Sequence, residues 1–195
     1  DATDQATDTP TNNFCTLNAL EKDIASACVM SEGNCQIVAA SSGNYYGVGS
    51  TIWVTAGKWY FEVECTDDSG YGASEYYQVG VTGKGVWKRA WGNAWTWGRS
   101  GIPDWVVRSY DGKYRYNNST TTYGAAWDEG DIISVALDVT NSKLYFAMNG
   151  DWADGSGSWD SSTFDAAVGA ITIDAVATVD AGAYNMIIGV AHEAV

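Results

Sequence analysis

The chain is short of the residues that most chemistry needs. It has one histidine, His192, and no Cys-x-x-Cys pair, so the ligand spacing of a structural zinc site is missing. A Ser-His-Asp triad would depend on that single imidazole, which sits in the closing AHEAV beside no nucleophile motif. No glycine-rich phosphate loop of the Walker or dinucleotide-binding kind occurs, and no cofactor is expected. No apolar run is long enough to span a bilayer, and no segment has the layout of a secretory signal. Membrane insertion is therefore not expected. Cations are scarce as well: ten Lys and Arg face 24 Asp and Glu, a formal net charge of −14. That balance argues against nucleic acid, because affinity for a phosphate backbone comes from clustered Lys and Arg. Helix-forming stretches are nearly absent, the best being the short Ala19 to Val29.

What the chain has is turns, aromatics and alternation. Its 195 residues suit one domain with a sizeable core, and 22 glycines with 26 aromatic residues (Trp 10, Tyr 12, Phe 4) suit many strands joined by tight turns. From Gly130 to Trp152 the sequence reads GDIISVALDVTNSKLYFAMNGDW. Ile133, Val135, Leu137 and Val139 alternate with Ser134, Ala136 and Asp138, the period of a strand with one buried face. Thr140-Asn141-Ser142 supplies a turn, Leu144, Phe146 and Met148 resume the alternation, and Asn149-Gly150 accepts positive φ. In GKWYFEVE, Gly57 to Glu64, Trp59, Phe61 and Val63 share one face, and Tyr60, Glu62 and Glu64 the other. Further strands are predicted near Val48-Val54, Tyr76-Val81, Val106-Tyr110, Lys113-Tyr116, Ala170-Thr178 and Tyr184-Val190. A hairpin is predicted over Ala27-Ala40, and a loop from Asn149 to Phe164. Residues 1 to 13, rich in Thr, Asp and Asn, are expected to form an extended arm or linker, with 14 to 195 a single domain. No internal repeat is found.

The alternation breaks between 83 and 106, where GKGVWKRAWGNAWTWGRSGIPDW carries Trp87, Trp91, Trp95, Trp97 and Trp105. Trp, Tyr and Arg are the types enriched at binding hot spots, and indoles also stack on sugar faces. Trp87, Arg89, Trp91, Arg99 and Trp105 are accordingly the candidate ligand-binding residues. Arg89 and Arg99 suit a carboxylate or an aromatic face. The competing reading is that several of these indoles fill the core: Trp95 and Trp97 flank Thr96 as inward residues of a strand would. Seven of the ten basic residues fall between Lys84 and Arg115, opposed there only by Asp104 and Asp111. This makes a local positive region on an acidic chain.

The acidic residues give weaker signals. Asp151, Asp154, Asp160 and Asp165 crowd one stretch, and carboxylates in a loop can contribute to a calcium site. Their spacing is not that of an EF-hand, and solvated loops have the same composition. Glu62 and Glu64 adjoin on one strand face, whereas a hydrolytic pair flanks its bond from opposing sides. The four cysteines, Cys15, Cys28, Cys35 and Cys65, allow three pairings; buried thiols are the expectation. Asn117-Asn118-Ser119-Thr120 holds two overlapping glycosylation sequons, relevant only to secretion through a eukaryotic pathway.

GKWYFEVE, then YYQVGV at Tyr76 to Val81, SYDGKYRYNN at Ser109 to Asn118 and GDIISVALDVTNSKLYFAMNG follow the order and spacing of SPRY domains. The chain resembles that family over about Ser31 to Asp154. The opening DTPTNNFCTLN, Asp8 to Asn18, is similar to those of SPRY modules in bacteriophage and environmental viral structural proteins. The close differs, with ITIDAVATVDAGAYNMIIGV where a YPA turn and an NFG strand are usual. The resemblance implies a two-layer antiparallel β-sandwich of the concanavalin-like type, a non-enzymatic module whose loops bind. Tyr45 and Tyr46 would border the same loop surface by that analogy. The viral likeness implies a virion location and, as partners, neighbouring virion subunits or a host-surface glycan; a homo-oligomer is compatible with it. The alternatives are a cytoplasmic adaptor capturing a short peptide, and a glycan-active enzyme, for which no convincing carboxylate pair is present.

Overall fold

The computed structural model describes residues 14–22, 28–39, 44–66, 76–83, 104–162, 164–173 and 183–192. Among these, every regular element except a 3-10 turn at Glu32–Asn34 is a strand. The strands are β1 (Leu17–Lys22), β2 (Cys28–Ser31), β3 (Gln36–Ala39), β4 (Asn44–Val54), β5 (Lys58–Glu64), β6 (Tyr76–Gly83) and β7 (Asp104–Arg108). They continue as β8 (Tyr114–Tyr116), β9 (Ser119–Thr121), β10 (Ile132–Asp138), β11 (Lys143–Met148), β12 (Asp151–Trp152), β13 (Ile171–Thr172) and β14 (Tyr184–His192).

A seven-stranded sheet runs β1-β4-β14-β6-β7-β8-β9, and a smaller one runs β12-β11-β10-β5 with β13 also on β11. Pairing is antiparallel throughout. Strands β2 and β3 form a separate hairpin. The predicted alternation becomes the register of the small sheet. Val135 pairs with Phe146 on one side and Phe61 on the other, Ile133 with Met148 and Val63, and Leu137 with Leu144 and Trp59. This face packs against Val79, Val81, Trp105, Val107 and Tyr184 of the large sheet in one core, the arrangement of a β-sandwich.

Turn chemistry sets the corners. Asn117 (φ 49°) and Asn118 (φ 64°) make a two-residue loop between Tyr116 and Ser119, the left-handed pair that a tight hairpin demands. Asn149 (φ 53°) and Gly150 (φ 89°) turn β11 into β12. The Asn149 side chain accepts the Ile132 N–H at 2.9 Å and donates to Asp131 at 2.7 Å.

Several expectations change. Part of the helix-prone stretch is strand: β1 pairs Leu17 with Ser50 of β4, so tertiary pairing overrides a weak propensity. Strand β4 starts at Asn44, earlier than predicted. The predicted loop 149–164 contains β12 and a bridge between Ala153 and Trp159. Of the closing segment, Ile171–Thr172 joins the small sheet, while β14 enters the large sheet between β4 and β6. The proposed arm, residues 1–13, lies outside the described residues. Cys28 pairs with Ala39 while Cys35 sits in the turn, so the two do not face each other. Cys28 and Cys65 are buried, Cys15 and Cys35 exposed, and no disulfide joins them.

Tyr123 bolts the layers together. Its hydroxyl donates to the Gly169 carbonyl at 2.7 Å and accepts the Phe146 N–H at 3.2 Å. Its ring meets Phe146 and Tyr114 edge-on. Tyr123→Phe strips both buried groups of a partner, at an expected cost of about 1–3 kcal/mol in chemical denaturation. Burial holds the phenol's ionisation above its ordinary value of 10.0. The unfolded phenol ionises near 10, so this group's stability is whole below that pH and lost as pH rises above it. Tyr123→Phe should flatten that alkaline slope.

Candidate recognition surface

Thr82 of β6 pairs with Asp104 of β7, so the strands stand side by side where the chain leaves one and enters the other. A hairpin there needs two to five residues. The chain supplies twenty between them, 84–103, including Trp87, Trp91, Trp95 and Trp97. Excess chain of this length at the end of a rigid sheet is where binding residues concentrate. Trp87, Arg89, Trp91 and Arg99 belong to this insert and lie outside the described residues; only its junctions are placed.

Trp105 is a correction. It lies in β7 with 0% of its surface exposed, stacked on Tyr116 at 4.7 Å and 8° and tilted against Tyr184. Strand alternation puts it opposite Val81, facing inward with Val107. It is a core residue, and the indole count of the binding candidates falls by one. Tyr45 and Tyr46 are displaced too. In β14, Tyr184 pairs with Gly83 and Ala191 with Tyr76, and Ala191 also pairs with Tyr45. Seven rungs, roughly 24 Å at the usual strand rise, therefore separate the Tyr45 backbone from the junction of the insert. These tyrosines sit at the opposite end of the sheet.

The weaker calcium alternative finds no support in the geometry. Asp154 accepts the Ser156 N–H, Asp160 the Ser162 N–H and hydroxyl, and Asp165 the Ala167 N–H. Each carboxylate closes its own turn. Among the described residues no three acidic, His or Cys groups, Asp151 included, converge to hold a metal.

The outer face of the small sheet brings Tyr60 and Glu62, already placed on one strand face by the sequence, together with residues of the neighbouring strands that the sequence did not join to them. Register sets Tyr60, Ala136 and Tyr145 in one row and Glu62, Ser134, Ala147 and Trp152 in the next. Tyr60 is 57% exposed, and its hydroxyl donates to Glu62 Oε1 at 2.6 Å. The Ser134 hydroxyl approaches the same oxygen at 3.4 Å. The bond to Glu62 raises the Tyr60 phenol above its ordinary value. Phe164 folds over Tyr145 and Trp152 at 6.2 and 6.1 Å. Glu62 thus belongs to a hydrogen-bonded surface cluster, not to a facing pair of acids. Trp59 is 47% exposed although it faces inward, because β5 is the edge strand.

The model of the SPRY domain matches residues 58–170. Solved structures share the fold across nearly the whole chain. The SPRY domain of human HERC1 superposes with a TM-score of 0.62 at 19% identity, covering 91% of each chain. Stonustoxin reaches 0.57 at 19% identity over 90% of this chain and 26% of its own. The TRIM65 PSpry domain reaches 0.59 at 12% identity over 92% of this chain and 85% of its own. A two-layer antiparallel sandwich with this register and this match defines the class: the chain belongs to the SPRY domain family. SPRY domains are in general protein-interaction modules rather than enzymes, and this chain is by class an interaction domain.

Proposed function

We propose that the protein recognises a protein partner through the end of the sandwich that carries the 84–103 insert. The carrying observation is the twenty-residue connection between strands already paired at Thr82 and Asp104. Its Trp and Arg content supplies anchors, and the positive charge of residues 84–115 on a chain of −14 favours an acidic contact surface. The test is a pull-down with the purified domain against cell-surface proteins beside a glycan panel, in low and high salt. A Trp87→Ala/Arg89→Ala/Trp91→Ala variant runs in parallel. Expected is a protein ligand retained by the parent, weakened by salt, and bound at least about a hundredfold less by a folded variant. Equal capture by the variant overturns the assignment of the insert.

For the setting we propose a viral particle, in which the domain contacts a neighbouring subunit or a host-surface glycan. What supports this is the likeness of Asp8 to Asn18 to the openings of bacteriophage SPRY modules. Glycan capture lost in the triple variant would favour the host-surface form. An antibody to the domain that labels only cellular fractions, never purified particles, would remove the setting and leave the short-peptide adaptor.

A further inference from the structure

We propose that the outer face of the small sheet is a second recognition site, built to seat an arginine side chain of a partner protein between Tyr60 and Tyr145 against the Glu62 carboxylate. It is independent of the 84–103 insert, which joins the other sheet. Tyr60 and Tyr145 flank Ala136 in one antiparallel row, so their backbones stand two strand spacings, roughly 9.6 Å, apart. Ala136 reaches only one carbon into that gap, with a tyrosine on the strand to either side. A side chain laid over Ala136 lies one strand spacing, about 5 Å, from the strand of each tyrosine, and a cation there can be attracted by the tyrosine rings. Tyr145 is backed edge-on by Phe164, which in turn leans on Trp152, so the wall on that side is held in place.

The charge on this face selects the occupant. Glu62 Oε1 is held by the Tyr60 and Ser134 hydroxyls, while Oε2 makes no bond among the described residues. The row beyond Tyr60 carries Lys58, Asp138, Lys143 and Thr172. There Lys58 lies 3.7 Å from Asp138 and Lys143 donates to Thr172 at 2.9 Å. Asp138 is further held by the side chain and backbone of Asn141, which keep its carboxyl below the usual range. On the other side of Glu62 the next row brings Glu64 beside Ile132. Asp138, one row from the slot, is thus taken up by Lys58 and Asn141, whereas Glu62, one row away on the other side, has no lysine or arginine in its own row, and neither has Glu64 one row further. A guanidinium meets all three demands: it is planar for the slot, cationic for the ring faces, and donates N–H toward Glu62 Oε2. A neutral sugar would stack on the rings but leave the carboxylate uncompensated.

The experiment is amide NMR of the full chain titrated with N-acetyl-arginine methylamide, N-acetyl-citrulline methylamide and methyl glucoside. The arginine probe should move the amides of Tyr60, Glu62, Ala136 and Tyr145. Citrulline, planar but neutral, should bind roughly tenfold more weakly. Glu62→Gln should weaken the arginine probe by a similar factor and leave the melting temperature unchanged. Tyr145→Leu should weaken the arginine and citrulline probes together, leaving arginine the tighter of the two. Shifts scattered away from this row, or equal binding of citrulline and arginine, overturn the proposal. So does methyl glucoside moving these amides when arginine does not, which would make the face a sugar platform. The comparison of the three probes on the parent chain needs no variant to fold.

Discussion

Gly80→Ala should abolish folding of the purified domain, or lower its stability by more than about 3 kcal/mol, although it adds a single methyl group. Gly80 lies in β6, paired with Ile187 of β14 on one side and Val106 of β7 on the other. A Cβ built there collides with the Trp105 carbonyl oxygen and lies 2.8 Å from Val106 Cα. Both obstacles are backbone in a central strand, so no side chain can rotate away. Relief would require β7 to move off β6, breaking the ladder and dragging Trp105 from its stack on Tyr116. An alanine elsewhere in the same strand position, at Gly49 of β4, is the control. There the added methyl meets only the Asn185 side chain at 3.7 Å or more, ordinary van der Waals contact. Circular dichroism melts of the two variants should separate by well over the few degrees that a surface change produces.

The small sheet was the most legible part of the sequence, and the reason is physical. Strands β5, β10 and β11 each bury one face, so Ile133, Val135, Leu137, Phe61 and Phe146 had to recur at every second residue, and the turn residues between them fix the register. The large sheet was harder to read. Strand β1 falls in a helix-prone stretch and is set by its pairing with β4, and β4 begins at Asn44, before the apolar run that marked it. Short strands such as β9 and β12 have no period to read at all. The same limit explains the site residues. Trp105 looked like part of a tryptophan-rich loop because composition changes at residue 84 and the boundary at Asp104 carries no signal. The Tyr60, Ala136 and Tyr145 row was invisible because it needs the partners of three strands at once. What the sequence did contain was the alternation of Tyr60 and Glu62 on the polar face; pairing β5 with β10 through Ala136 would have brought the row together.

Trp105→Ala should lower stability by about 3–5 kcal/mol, the cost of emptying a fully buried tryptophan site. The indole fills the space between Tyr116, stacked at 4.7 Å, and Tyr184 at 6.1 Å, and it belongs to the same core as Val81, Leu144 and Phe146. Neighbouring strands are locked by their ladders, so the cavity cannot collapse. Trp105→Phe separates packing from polarity. The Trp105 Nε1–H is buried and has no acceptor among the described residues. Phenylalanine keeps much of the stacking surface and removes an unsatisfied donor, and the two effects oppose. The expected loss is under about 2 kcal/mol, well short of the alanine change. Urea titration of both variants reads this directly. A Trp105→Ala variant as stable as the parent, yet unable to bind, would return Trp105 to the recognition surface. A destabilised variant whose folded fraction still binds leaves recognition to the insert and the outer face.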